Sequence, residues 1–232
     1  MKKQNIYKIK HKEADLYHNR NLGYYQNKNQ IYKKNSVITS SIILDLIKAT
    51  KIKPKNILEI GCGRGIKLEF YRKELKIPGD CIGVDLSKLA IKFGKKFYKK
   101  LKLYEMSSLE IDKINKKFDL VICGFFLYLL DREEIFKQFD LIYKKINLNK
   151  YLIINDFEPL FNHTNYDNRN KSNLKIFKQR YTDFLVNSGL FKLIYKITKE
   201  MPSTDKRKFK SKECSLSLYQ KIDFVENYPE KV

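Results

Sequence analysis

The chain has 232 residues, 43% of them apolar and 13% aromatic, which suits one domain with a full core and excludes disorder throughout. Lysine and arginine total 48 against 26 acidic residues, a formal net charge of +22, which raises a polyanionic partner such as RNA, DNA or acidic lipid. The longest apolar stretch, "LVICGFFLYLL" (120–130), is about half the length a membrane-spanning helix needs, and "MKKQNIYKIKHKEAD" lacks the apolar segment of a secretory signal.

Residues 1–35 are polar and tyrosine-rich with weak periodicity, and read as an arm or cap before a domain over 36–232. "SVITSSIILDLIKAT" (36–50) predicts an apolar helix stopped before Pro54, because the residue preceding proline disfavours helical backbone. "NILEI" (56–60) predicts a short buried strand that ends at glycines. After Gly65, the spacing of Ile66, Leu68, Phe70, Tyr71 and Leu75 predicts a helix that "IPGD" ends. "CIGVDL" (81–86) is a second strand, followed by a helix with Ala90, Phe93, Phe97 and Leu101 on one face.

"KLY" (102–104) and "FDLVIC" (118–123) are the third and fourth strands. Asp131 and Glu134 form a capping-box pattern before a helix burying Ile135, Phe139, Ile142 and Ile146. "YLIINDF" (151–157) is the fifth strand, and a helix is expected over roughly 172–187, ending near Gly189. "FKLIYKIT" and "ECSLSLYQKI" close the chain as an antiparallel pair. Strands alternating with helices imply an α/β fold, a doubly wound Rossmann-like sheet, mostly parallel with a C-terminal antiparallel hairpin.

The basic runs "YKIKHK", "KIKPK", "KFGKKFYKK" and "KRKFKSK" lie in four separate regions, so the charge also fits a chain simply rich in lysine. Cys62, Cys81, Cys123 and Cys214 are far apart, with no C-x-x-C pair and no histidine at ligand spacing. The expectation is a cytoplasmic protein without a metal site.

The most informative stretch is "NILEIGCGRGIK" (56–67). A strand–glycine–helix turn lets backbone approach a ligand and aims helix N–H groups at negative charge. The dinucleotide pattern G-x-G-x-x-G needs its third glycine at position 66, which is Ile; here the glycine is Gly65. Glu59 precedes the turn, giving E-x-G-x-G-x-G. Asp85 closes the second strand, where a carboxylate accepts from ribose hydroxyls.

"ILEIGCGRG", "CIGVDLS", "FDLVICGFFLYLL" and "YLIINDFEP", in this order, resemble the successive motifs of class I S-adenosylmethionine-dependent methyltransferases, over roughly residues 36–222. The resemblance implies S-adenosylmethionine as cofactor, with Glu59, Gly61, Cys62, Gly63 and Gly65 lining its methionine part. It also implies Asp85 on the ribose and Leu86 on the adenine, with "EMSSL", including Met106 and Ser107, at the adenine edge. Cys123, Gly124 and Phe125 would form the floor under the sulfonium. Many members carry an aspartate just after the third strand. Its absence here leaves Glu105, Ser107 or backbone to read the base.

The acceptor is narrowed by what is missing. Enzymes methylating adenine or glutamine amides end the fourth strand with N-P-P-[YF] or D-P-P-Y, where this chain has "CGFF" (123–126), and a Pro-Cys nucleophile is absent. "LYHNRN" (16–21) and "HTNYDNRNKSNLKIFKQRYTDFL" (163–185) resemble, less closely, methyltransferases associated with pseudaminic-acid-type sugars. The expected activity is O- or N-methylation of a small molecule or sugar. His163 is the candidate base, and Asp156 a second candidate or the group that orients it. Tyr128, Asn165, Tyr166 and Arg169 are candidate substrate contacts. Arg20 or Tyr24 would act if the arm closes over the site. An RNA or protein methyltransferase, or a non-catalytic binding module, is the alternative.

Overall fold

In the computed structural model, residues 2–21, 36–167, 174–200 and 213–223 are described. The chain divides into two compact units, one running through Ile111 and one taking Asp112–Tyr166 and the chain from Lys175.

The first unit opens with helix α1 (Lys2–Arg20), inside the segment read as an arm or cap, then α2 (Ser36–Ala49), β1 (Ile57–Ile60), α3 (Ile66–Glu74), β2 (Cys81–Asp85), α4 (Lys88–Phe97) and β3 (Lys102–Glu105). Its strands lie in the order β3-β2-β1 and are all parallel, with Ile57 opposite Cys81 and Ile82 opposite Lys102. All four β1 residues are buried, as expected of a parallel strand covered on both faces. Edge strand β3 buries only Leu103. The helical face read along α4 stops early. Phe97 is exposed, and Leu101 is buried beyond the helix end.

The second unit holds β4 (Phe118–Gly124), α5 (Ile135–Lys145), β5 (Ile146–Phe157), α6 (Tyr181–Asn187), β8 (Phe191–Glu200) and β9 (Glu213–Lys221). β4 and β5 are parallel; β9 runs antiparallel between β5 and β8. The expected antiparallel pair is therefore present, with its second strand inward. The Glu134 carboxylate accepts the Asp131 N–H at 3.2 Å, completing a capping box, and α5 buries Ile135, Phe139 and Ile142. Ile146 begins β5 rather than ending the helix.

The helix expected over 172–187 is corrected: strand β7 (Leu174–Lys178) precedes the short α6, and β7 makes a two-stranded sheet with β6 (His163–Asp167). "LKIFK" buries Ile176 and Lys178 while exposing Lys175, a two-residue alternation that suits a strand. Helices pack on the strands of each unit in the expected α/β manner, α4 on β2 and β3 and α5 on β4 and β5. Among the described residues no helix is long and apolar enough to cross a membrane.

Candidate functional site

β1 delivers Glu59 and then the glycine turn. Gly61, Gly63 and Gly65 have φ of 73°, 54° and 76°, left-handed backbone that side chains disfavour. Two of these glycines answer to different constraints. A Cβ on Gly65 would lie 2.9 Å from Leu101 and 3.1 Å from Leu103, so Gly65 is needed for packing. A Cβ on Gly63 would meet nothing within 4 Å, so its bare backbone faces open space. This is the position at which a ligand gains from the missing side chain.

Asp85, at the end of β2, binds that same residue. Its Oδ2 accepts the Gly63 N–H at 2.8 Å and its Oδ1 accepts the Ser87 N–H at 2.8 Å. Each carboxylate oxygen has a second lone pair, so both remain able to accept from hydroxyls. Burial raises the Asp85 pKa, and the two N–H groups offset part of that rise.

Glu59 is 3% exposed, and its Oε2 has no hydrogen-bond partner. Burial pushes its pKa up to about 7, opposed by Lys67 and helped by Asp85. A buried carboxylate oxygen without a donor suits a cationic group. Cys62 instead packs inward: its Sγ would lie 2.7 Å from a Cβ on Gly83, and burial raises its thiol pKa strongly. Leu86, Met106 and Ser107 are half-buried. The Met106 N–H donates to the Asp85 carbonyl at 3.0 Å, whereas the Ser107 hydroxyl accepts the Leu109 N–H at 3.2 Å, at the start of a short 3-10 helix.

The second unit carries the remaining candidates. Cys123 is fully buried, while Gly124 and Phe125 are half-buried beyond it. Phe125 has φ 53°, unusual for an aromatic residue, and its N–H donates to the Asn155 carbonyl at 2.8 Å. Phe157 meets Phe125 and Tyr128 edge-on, at 5.7 and 5.1 Å between ring centroids. Asp156 is 1% exposed, with its pKa raised to about 7 by burial. Its oxygens accept the Leu127 N–H at 2.9 Å and the Phe157 N–H at 2.8 Å, fixing the turn that carries Tyr128. Arg132 holds that turn from its carbonyl side, donating to Leu130 at 2.7 Å and Leu127 at 3.3 Å, and also bonds Gln179 beyond β7.

His163 starts β6. Its Nδ1 lies 2.9 Å from the Phe161 carbonyl, which can only accept, so Nδ1 carries the proton and Nε2 the lone pair in the neutral ring. Its described bond is thus to Phe161, and those of Asp156 are to backbone. Asn165 and Tyr166 are exposed on β6, whereas Tyr24 and Arg169 lie outside the described residues. The Arg20 guanidinium sits 5.8 Å from the ring centre of Tyr17 on its own helix.

Sequence reasoning gave no role to Asp15, His18 or Arg64. Arg64, inside the glycine turn, donates through Nε to His18 Nδ1 at 3.0 Å and through Nη2 to the His18 carbonyl at 3.0 Å. Asp15 Oδ1 accepts the Ser87 hydroxyl at 2.6 Å. His18 lies within "LYHNRN", but only the fold shows its partner.

Residues 57–146, from β1 to the first residue of β5, match a family model described as a methyltransferase domain. An uncharacterized protein of Rickettsia prowazekii is 34% identical over 98 residues, which is 40% of this chain and 39% of that protein's length. Among solved structures, the N-methyltransferase NodS of Bradyrhizobium japonicum in complex with S-adenosylhomocysteine is 15% identical with a TM-score of 0.61, covering 90% of this chain and 99% of that one. The 1,6-didemethyltoxoflavin-N1-methyltransferase of Burkholderia thailandensis is 14% identical with a TM-score of 0.62, covering 92% and 91%. At such identities the two structures establish the fold. The methyltransferase-domain match thus spans β1 to the start of β5, and the fold is that of the class I S-adenosylmethionine-dependent methyltransferases.

Proposed function

We propose that the protein transfers a methyl group from S-adenosylmethionine to a small molecule or sugar precursor, at an oxygen or nitrogen. The observation that carries this reading is the open face of Gly63 held by the half-buried Asp85 carboxylate, with the buried Glu59 at the end of the preceding strand. The residues fit the cofactor: an acceptor without a donor for its ammonium group, a carboxylate with spare lone pairs for its ribose, and bare backbone for close approach. When bound, the cofactor supplies an electrophilic methyl group on sulfur.

In this reading Glu59 pairs with the ammonium, Asp85 accepts from the ribose hydroxyls, and Leu86 and Met106 pack on the adenine. Cys62 and Gly65 serve through packing, and Ser107 through the turn it caps. Cys123 to Phe125 act as the floor through backbone and the Phe125 ring. Displacement at carbon with a good leaving group is accelerated mostly by positioning, the task given to Phe125, Tyr128 and Phe157. His163 takes the acceptor proton at Nε2, with Asp156 fixing the acceptor wall rather than the base. Asn165, Tyr166 and Arg169 contact the acceptor, and the protein works in the cytoplasm. The structural neighbour named for a toxoflavin precursor supports a small acceptor.

The net charge of +22 favours a second reading, methylation of RNA. Incubation with labelled cofactor and cell extract, with and without nuclease, separates the two. The account expects a labelled low-mass product that survives nuclease. A nuclease-sensitive product, together with binding that falls steeply with salt, would replace it with the RNA reading.

A further inference from the structure

We propose that Asp15 and His18 of α1 are positioning residues of the cofactor site, closing a ring of hydrogen bonds that holds Asp85 and the glycine turn in binding geometry. The proposal rests on the reading of Gly63 and Asp85 as cofactor contacts.

The ring can be followed bond by bond within the first unit. Asp15 Oδ1 accepts the Ser87 hydroxyl at 2.6 Å and the Leu89 N–H at 3.1 Å, so α1 caps the start of α4 from outside. Ser87 in turn accepts the Ala90 N–H at 3.0 Å and gives its own N–H to Asp85 Oδ1 at 2.8 Å. Asp85 Oδ2 takes the Gly63 N–H at 2.8 Å. The next residue, Arg64, returns to α1 through two bonds to His18, both 3.0 Å.

Asp15 and His18 are three residues apart on one helix face, so a single helix grips both ends. Arg64 is 5% exposed and lies 4.8 Å from the Phe93 ring centre, with His18 edge-on to the same ring at 6.1 Å. A guanidinium held this way leaves little freedom to the glycine turn beside it. Neither α1 residue needs to touch the cofactor: Asp15 acts through Ser87 on Asp85, and His18 acts through Arg64 on Gly63.

The test is calorimetric titration of the full chain with S-adenosylhomocysteine, with the unliganded melting temperature measured alongside. Asp15→Ala and His18→Ala should each weaken binding about five- to tenfold, the range of one lost hydrogen-bond link. Asp15→Asn keeps an acceptor for both donors and should bind within about twofold of wild type. Adding Ser87→Ala to Asp15→Ala should cost little more than either alone, since both break one chain. Should Asp15→Ala fail to fold, His18→Ala makes the same test at the other end of the ring. Melting temperatures that fall while affinity stays unchanged would overturn the proposal and leave α1 a stabilising helix only. Failure of the wild-type chain to bind would instead defeat the cofactor reading beneath it.

Discussion

The Asp85 carboxylate holds the Gly63 N–H at 2.8 Å, tying the end of β2 to the glycine turn after β1. That bond fixes the one glycine of the turn shown to face open space. Gly63→Ala should therefore cost about 1 kcal/mol of stability, from left-handed backbone alone, yet weaken S-adenosylhomocysteine binding more than about tenfold. Gly94→Ala is the contrast. Its Cβ would lie 2.4 Å from Leu103 and 2.5 Å from the Arg64 carbonyl, so stability should fall by about 2 kcal/mol or more. Urea titration and calorimetry on both variants check the pair. Equal binding loss at equal stability loss would contradict the division.

Glu59 and Asp156 predict how stability responds to pH. Burial raises their folded pKa values to about 7, from 4.5 and 3.8 respectively. A carboxyl group whose folded pKa is raised contributes fully below its unfolded pKa and loses that contribution as pH rises through the folded one. Stability should thus decline from about pH 4 to about pH 7 through these two groups. The difference between wild type and Glu59→Gln or Asp156→Asn in urea midpoint isolates each group. Wild-type and variant curves that stay parallel across this window would refute the assignment.

Asp156 also predicts a structural loss. Asp156→Ala removes the acceptor for the buried Leu127 N–H and for Phe157, and should cost about 2 to 4 kcal/mol. Chemical denaturation measures it; a loss within experimental error would show that water takes over both donors.

For His163, the neutral tautomer set by the Phe161 carbonyl leaves Nε2 basic. With an acceptor in hand, His163→Ala should lower kcat about a hundredfold in steady-state assays. Retention of more than a third of the wild-type rate would end the base role.

The alternation from β1 to β5 was legible because buried parallel strands read as short apolar runs, and glycine turns and caps marked their ends. Glu59 and Asp85 were visible by spacing from the turn. Three things were not. β7 and α6 together form one stretch with mixed spacing, which reads as a single helix until Ile176 and Lys178 are seen to share a face. α1 docks through Asp15 and His18, by polar bonds that leave no apolar period in the sequence. The distinction between Gly63 and Gly65 was equally hidden, since it depends on Leu101 and Leu103 arriving from far along the chain.

The most direct measurement is calorimetric titration of the purified chain and of Asp85→Ala with S-adenosylmethionine. The account predicts micromolar binding to the wild-type chain and a loss of at least about tenfold in the variant, as one charge-assisted contact is removed. An absence of binding heat, or equal affinity in the two proteins, would contradict it.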